Sequence, residues 1–156
     1  MSRNSARRAR GAILHATDFS AASRPALARA IEFARREGAR LVVLHVMTPP
    51  SPLVSGPHPA TWIDLLARAR RAAERRLAAV VARARRSAGR VESRLIEGMP
   101  AETIARVAQK ERASLVVIGT HGRSGLGRVF MGSVAARVLA LCRCPVLTVR
   151  ERRRRG

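Results

Sequence analysis

The chain has 156 residues, 47% of them apolar, enough for one domain to build its own core without disulfide or metal staples. Its charge is lopsided: 31 Lys and Arg face 10 Asp and Glu for a net +21, so the chain attracts polyanions of any kind, and Lys110 is its one lysine. No apolar run approaches the ~20 residues that span a bilayer, and no basic start leads into an apolar secretory stretch, which predicts a cytoplasmic protein without membrane insertion.

Residues 1–10 hold four arginines, no acid and no apolar periodicity, and read as a basic N-terminal tail. Residues 151–156 form a basic C-terminal tail, leaving 11–150 as the domain. AILHAT (12–17) has the pattern of a buried strand, followed by Asp18, Ser20 and Ser23 as turn and cap residues. From Pro25, the apolar positions Leu27, Ala30, Ile31 and Ala34 recur at helical spacing up to Gly38. LVVLHVM (41–47) is β-branched and nearly continuous, as in a strand covered on both faces. The stretch 48–59 carries five prolines and reads as a loop.

A long helix is expected from Thr61 as N-cap to Gly89, with Trp62, Leu65, Leu66, Ala69, Ala73, Leu77, Val80, Val81 and Ala84 on one face. It carries most of the nine arginines of residues 61–90. VESRLI (91–96) alternates, which predicts an edge strand. A short helix over 101–113, a strand at 114–120, a helix at 132–142 and a strand at 145–150 complete the chain. Strands alternating with helices predict an α/β fold, a single doubly wound five-stranded parallel sheet with helices on both faces, Rossmann-like, with ligands at the carboxyl ends of the strands. Cys142 and Cys144 are two apart, neither the C-x-x-C redox spacing nor a zinc knuckle, so reduced thiols at a helix–strand junction are expected.

The informative segment is GTHGRSGLGRVFMGS, residues 119–133. It leaves a buried strand, carries five glycines and opens a helix at Gly132-Ser133. Glycines let a ligand approach the backbone, and the first turn of the helix offers unpaired N–H groups and a positive dipole end to phosphate. Ser133 adds a hydroxyl, and Arg123 or Arg128 adds charge. The bland alternative is a plain connection. The P-loop pattern is absent because no lysine lies in the loop, and G-x-G-x-x-G fails because Phe130 stands where the third glycine belongs.

With Gly119, Gly122, Gly132 and Ser133 in the spacing G-x-x-G, nine residues, G-[ST], the chain resembles the nucleotide-binding universal stress proteins. The resemblance extends to ILHATDFS (13–20), LVVLHV (41–46), GMPAETI (98–104) and CPVLTVR (144–150), and covers residues 11–150 in order. It implies an ATP site between the first and fourth strands. Thr17 and Asp18 would sit beside the adenosine, with Ala16 just before them, and Asp18 is also suited to hold Mg²⁺ or Mn²⁺ near the phosphates. The Val46 backbone would meet the adenine. Ile118 and Gly119 would end the fourth strand, Gly122 would bend the loop, and Gly132, Ser133 and Val134 would hold the phosphates. His121 and Arg123 lie inside that loop as further contacts. The resemblance also implies a homodimer through residues 145–150.

Each residue has a structural alternative: Asp18 as a helix cap, His15 and His45 as packed side chains, Trp62 as core or rim. Three function classes stay open: an ATP-binding regulatory protein of stress response, a slow ATPase or autophosphorylating enzyme, and a non-specific nucleic-acid or polyanion binder working through its arginines. Against the enzyme, the sequence positions no general base beyond Asp18. Against single-stranded nucleic acid, aromatic residues are only 3%, with no tyrosine to stack on bases.

Overall fold

The computed structural model describes residues 11–48, 59–120 and 131–150. Five parallel strands and four helices alternate: β1 (Ala12–Ala16), α1 (Ser23–Glu37), β2 (Leu41–Met47), α2 (Pro59–Arg85), β3 (Val91–Glu97), α3 (Pro100–Lys110), β4 (Ala113–Gly119), α4 (Ser133–Leu141) and β5 (Val146–Val149). The strand order β3-β2-β1-β4-β5 turns about β1, so the first crossovers build outward one way and the later ones the other. This is the doubly wound α/β sheet expected from the alternating pattern.

Side chains alternate across the sheet and assign each helix to a face. Ala12, Leu14, Ala16, Val42, Leu44, Val116 and Ile118 pack under α3 and α4. Ile13, Leu41, Val43 and Val117 pack under α1 and α2. Residues Leu41–Leu44 of β2 are all fully buried, as a strand covered on both faces must be. β3 is an edge strand, and its half-buried alternation is the reason its pattern was legible.

Several boundaries differ from the sequence reading. α1 begins at Ser23, because a proline in the first helical turn gives up no backbone bond and Pro25 therefore marks no start. α2 begins at Pro59, so Thr61 is inside the helix and not its N-cap. The same helix stops at Arg85, before Gly89, whereas α1 does end on Gly38 in a left-handed cap with φ 58°. α3, β4, α4 and β5 move by one to three residues at their ends.

The apolar face of α2 divides. Ala73, Leu77, Val81 and Ala84 are buried, whereas Leu65 is exposed, as is Ala69. A 27-residue helix is about 40 Å long, against about 23 Å for a seven-residue strand, so its first turns overhang the carboxyl edge of the sheet. Trp62 is half-buried on that overhang.

Candidate functional site

β1 ends at Ala16, and the chain turns sharply before α1. Within this turn four groups form one directed chain of hydrogen bonds. The Phe19 N–H donates to Thr17 Oγ1 at 3.0 Å, and Ser23 Oγ donates to the Ser20 carbonyl at 2.9 Å. Thr17 Oγ1 and Ser23 Oγ lie 3.1 Å apart. The single Ser23 hydroxyl hydrogen is already committed, so Thr17 is the donor between them. The Ser20 N–H donates to Asp18 Oδ1 at 3.0 Å, an Asx-type turn, while the N-cap of α1 is Ala22 with no side-chain cap bond. Asp18 is therefore a turn residue and not a helix cap, with its second oxygen outside this network.

The turn holds a left-handed residue, Phe19 at φ 63°, a conformation that a bulky side chain keeps only when its surroundings fix it. Its ring lies 4.2 Å from the His45 ring, and the Arg76 guanidinium sits 5.9 Å from its centroid. His45 Nδ1 is 2.7 Å from the Thr17 carbonyl, which can only accept, so Nδ1 carries the hydrogen. The turn bearing Asp18 is thus pinned to β2 and to α2. His45 is hydrogen-bonded as its apolar strand suggested, and its ring also lines the site.

β2 runs past the end of β1. The Thr17 N–H donates to the Leu44 carbonyl at 2.9 Å, which fixes the peptide groups of Leu44 toward β1, and those of Val46, two residues on, point the same way. No described backbone group meets them there, because β1 has already turned away. A donor and an acceptor are left side by side at the sheet edge.

Gly119 closes β4 against the same turn. A Cβ here would fall 2.9 Å from the Ala22 carbonyl oxygen, backbone that cannot swing aside, so only glycine lets β4 and the turn approach. Beyond it, Gly132 N–H donates to the Thr120 carbonyl at 2.7 Å, and Thr120 N–H donates to the Val149 carbonyl at 3.0 Å. The two ends of the glycine-rich segment are therefore tied together at the sheet. α4 starts at Ser133 without a side-chain cap, and the Ala136 N–H is the first to reach back, to the Gly132 carbonyl at 3.0 Å. The N–H groups of Ser133, Val134 and Ala135 lie ahead of the first intrahelical bond and have no acceptor within the helix.

These features surround one cleft of about 550 Å³ at the carboxyl ends of β1, β2 and β4. Nine of the residues singled out in the sequence line it: Ala16, Thr17, Asp18, Val46, Ile118, Gly119, Gly132, Ser133 and Val134. His121, Gly122 and Arg123 lie outside the described residues. Sequence reasoning did not assign to the site Met47, Pro100 and Ile104, which form an apolar wall, or Ala69 from the overhang of α2. The signal for the wall was present: Pro100 opens α3, and Ile104 falls one turn later on the same side. Asp18 is the one carboxylate among the described lining residues. No group of three or more His, Cys, Asp or Glu positioned for a metal occurs among the described residues, so any cation here would share Asp18 with a ligand's own oxygens.

Two other groups are structural. His15, in the centre of β1, is fully buried; its Nδ1 donates to the Val117 carbonyl at 3.1 Å while Nε2 has no partner among the described residues. Burial pushes its pKa down from 6.5 to about 4, against the opposing pull of that carbonyl and of Asp18, so the ring is neutral. Cys142 and Cys144 are free thiols at the α4–β5 junction, and burial pushes Cys142 up to about 11, which makes it a poor nucleophile.

A sequence model described as the universal stress protein family matches residues 10–150. The chain belongs to that family. It is 33% identical over 135 residues to universal stress protein MJ0531 of Methanocaldococcus jannaschii, covering 86% of this chain and 79% of the relative. It is 37% identical over 138 residues to a Thermus aquaticus universal stress protein, covering 88% and 97%. Among solved structures, a family member from Burkholderia pseudomallei is 34% identical, with TM-score 0.69 over 91% of this chain and 97% of that one. The fold of the MJ0577 protein superposes with TM-score 0.82 at 23% identity, covering 94% and 99%. Other family structures of similar fold were solved in complex with cAMP, with dAMP from Archaeoglobus fulgidus, and with AMP from Arabidopsis thaliana.

Proposed function

We propose that the chain binds ATP in this cleft and works as a nucleotide-dependent regulatory protein of the stress response. The observation that carries the reading is the pairing, across one cleft, of two sets of backbone groups with no partner among the described residues. The Val46 N–H and C=O match the hydrogen-bonding edge of an adenine, and the α4 N-terminus matches an oligophosphate. Met47, Pro100 and Ile104 supply an apolar wall for the base, and Thr17 and Asp18 stand beside the ribose. Ser133 adds a hydroxyl to the phosphates, Gly119 and Gly132 leave them room, and Asp18 shares Mg²⁺ or Mn²⁺ with their oxygens. His121, Gly122 and Arg123, which follow Thr120 in sequence, complete the proposed contacts. The cyclic and monophosphate adenine nucleotides held by solved relatives support the base and ribose part of this reading.

Regulation requires ATP to favour one conformation or partner over another. Hydrolysis is at most a slow by-product, since Asp18 has one oxygen committed to its turn and His45, the histidine among the described lining residues, has Nδ1 committed to the Thr17 carbonyl. A homodimer through β5, whose four residues are all half-buried at the sheet edge, fits this reading.

Calorimetric titration with Mg·ATP, at salt high enough to screen the arginines, tests the proposal. Ser133→Glu places a carboxylate in the first turn of α4, where it favours the helix but repels phosphate. Saturable binding near one ATP per chain, weakened at least ~10-fold in that variant, is expected. No saturation at millimolar ATP, or equal affinity in Ser133→Glu, would overturn it.

A further inference from the structure

We propose that the outward face of α1 and α2 is a docking surface for double-stranded nucleic acid, held through its phosphates and independent of base sequence. The face lies on the side of the sheet away from α3 and α4. With 3.6 residues per turn, Arg68, Arg71, Arg75 and Arg83 share the side of α2 opposite its buried residues Ala73, Leu77, Val81 and Ala84, and all four are exposed. Ala72, Ala79 and Ala82 fall between them, small enough to let a backbone come close.

Three of the four charges of this stripe are not spent among the described residues. Arg68 pairs with Asp64 at 2.8 Å. Arg71, Arg75 and Arg83 have no acidic partner among the described residues. Glu74, the one acid between Arg71 and Arg86, turns instead to Arg70 at 3.2 Å. Between α1 and α2 runs a groove of about 620 Å³ whose lining includes Arg24, Arg35, Arg36 and Arg83. Its one acid, Glu32, is occupied by Arg29 at 2.8 Å and Arg36 at 2.6 Å.

The chemistry favours a duplex over other polyanions. The stripe from Arg68 to Arg83 is straight and about 22 Å long, and a duplex presents one charge per ~1.7 Å of its axis along a straight rod. Guanidinium forks suit phosphate oxygens. The stripe carries no aromatic side chain on which the bases of a single strand could stack. From Arg68 to Arg83 its residues are arginine and alanine, and exposed Leu65, one turn before Arg68, is the one bulky apolar side chain in line with it among the described residues, less than a membrane surface or a protein partner would need.

The test is fluorescence anisotropy of a labelled random-sequence duplex of about 20 base pairs, with the full chain, as a function of salt. Arg71→Gln/Arg75→Gln/Arg83→Gln is compared with Arg152→Gln/Arg153→Gln/Arg154→Gln, which removes the same formal charge from the tail. Glutamine is a good helix former, so α2 is retained, and far-UV circular dichroism checks it. The stripe variant is expected to flatten the slope of log affinity against log salt by about 3 and to lose at least ~10-fold in affinity at low salt. The tail variant loses less than about threefold, and the triple Lys replacement on the stripe keeps the slope because it keeps the charges. Equal losses in the two Gln variants would show net charge acting without a site and overturn the proposal. So would tighter binding of the corresponding single strand, equal stripe dependence on phosphatidylserine vesicles or polyglutamate, or no duplex binding at low salt.

Discussion

At the carboxyl end of the sheet β1 turns away at Ala16 while β2 continues to Met47, leaving the Val46 peptide groups and the first N–H groups of α4 facing a cleft. At the amino end Arg40, Glu92, Arg94 and Glu111 close into a ring of four ion pairs between 2.8 and 3.4 Å. Arg40 also donates to the Glu111 main-chain carbonyl at 3.1 Å, fastening the end of α3 to the start of β2. The Glu111 side chain is only 10% exposed. Burial works to raise its pKa, but the hydrogen bonds from Arg40 and Arg94 outweigh it and hold the carboxyl below its ordinary range. The amino end is electrostatically complete and acts as a fastening. The carboxyl end holds backbone groups without partners among the described residues, which is what a binding site needs before its ligand arrives.

The largest expected effect separates the buried centre of β1 from the amino end by pH. The folded protein keeps His15 neutral down to about pH 4, whereas the unfolded chain takes up that proton below about 6.5. Stability from this group is therefore complete above pH 6.5 and falls by about 3 kcal/mol as pH drops to 4, where it levels off. Glu92 and Glu111, whose pKa values are lowered on folding, contribute above the ordinary carboxylate range and lose that contribution only below it, as pH falls through their depressed values. Urea midpoints measured across this range should fall in two stages, and His15→Leu should remove the upper one. An unchanged upper stage in that variant would contradict the assignment.

A smaller effect tests whether the ends are independent. Glu111→Gln leaves two partly buried guanidinium groups facing a neutral amide and should cost about 2 kcal/mol in denaturant unfolding. ATP affinity should stay within about twofold, since the cleft shares no hydrogen bond with the ring. A tenfold loss would mean that the two ends are coupled through the sheet.

Much of this was legible in the sequence because each signal was local. β2 announced itself by a continuous apolar run, β3 by alternation, and Gly119, Gly132 and Ser133 by their spacing at a strand end and a helix start. The misread positions depended on length or on contacts distant in sequence. Ala69 stays near the helical period of the buried face and is exposed by the mismatch between α2 and the sheet, whereas Leu65, five whole turns before Arg83, lies on that arginine's side of the helix. Pro100 and Ile104 look like ordinary helix residues until the crossover carries α3 to the cleft. Phe19 gave no sign of its left-handed backbone, because that conformation is held by His45 and Arg76 from other elements. The arginines of α2 were countable, but their alignment opposite the core required the helix itself.

The most direct test of the central claim is a nitrogen–proton correlation spectrum of the isotopically labelled protein, titrated with Mg·ATP at high salt. The account predicts saturable shifts at the amides of Val46, Ser133, Val134 and Ala135, with those of Arg40, Glu92 and Glu111 unmoved. Shifts confined to the arginine face of α1 and α2, or absent from both Val46 and the α4 N-terminus, would contradict it.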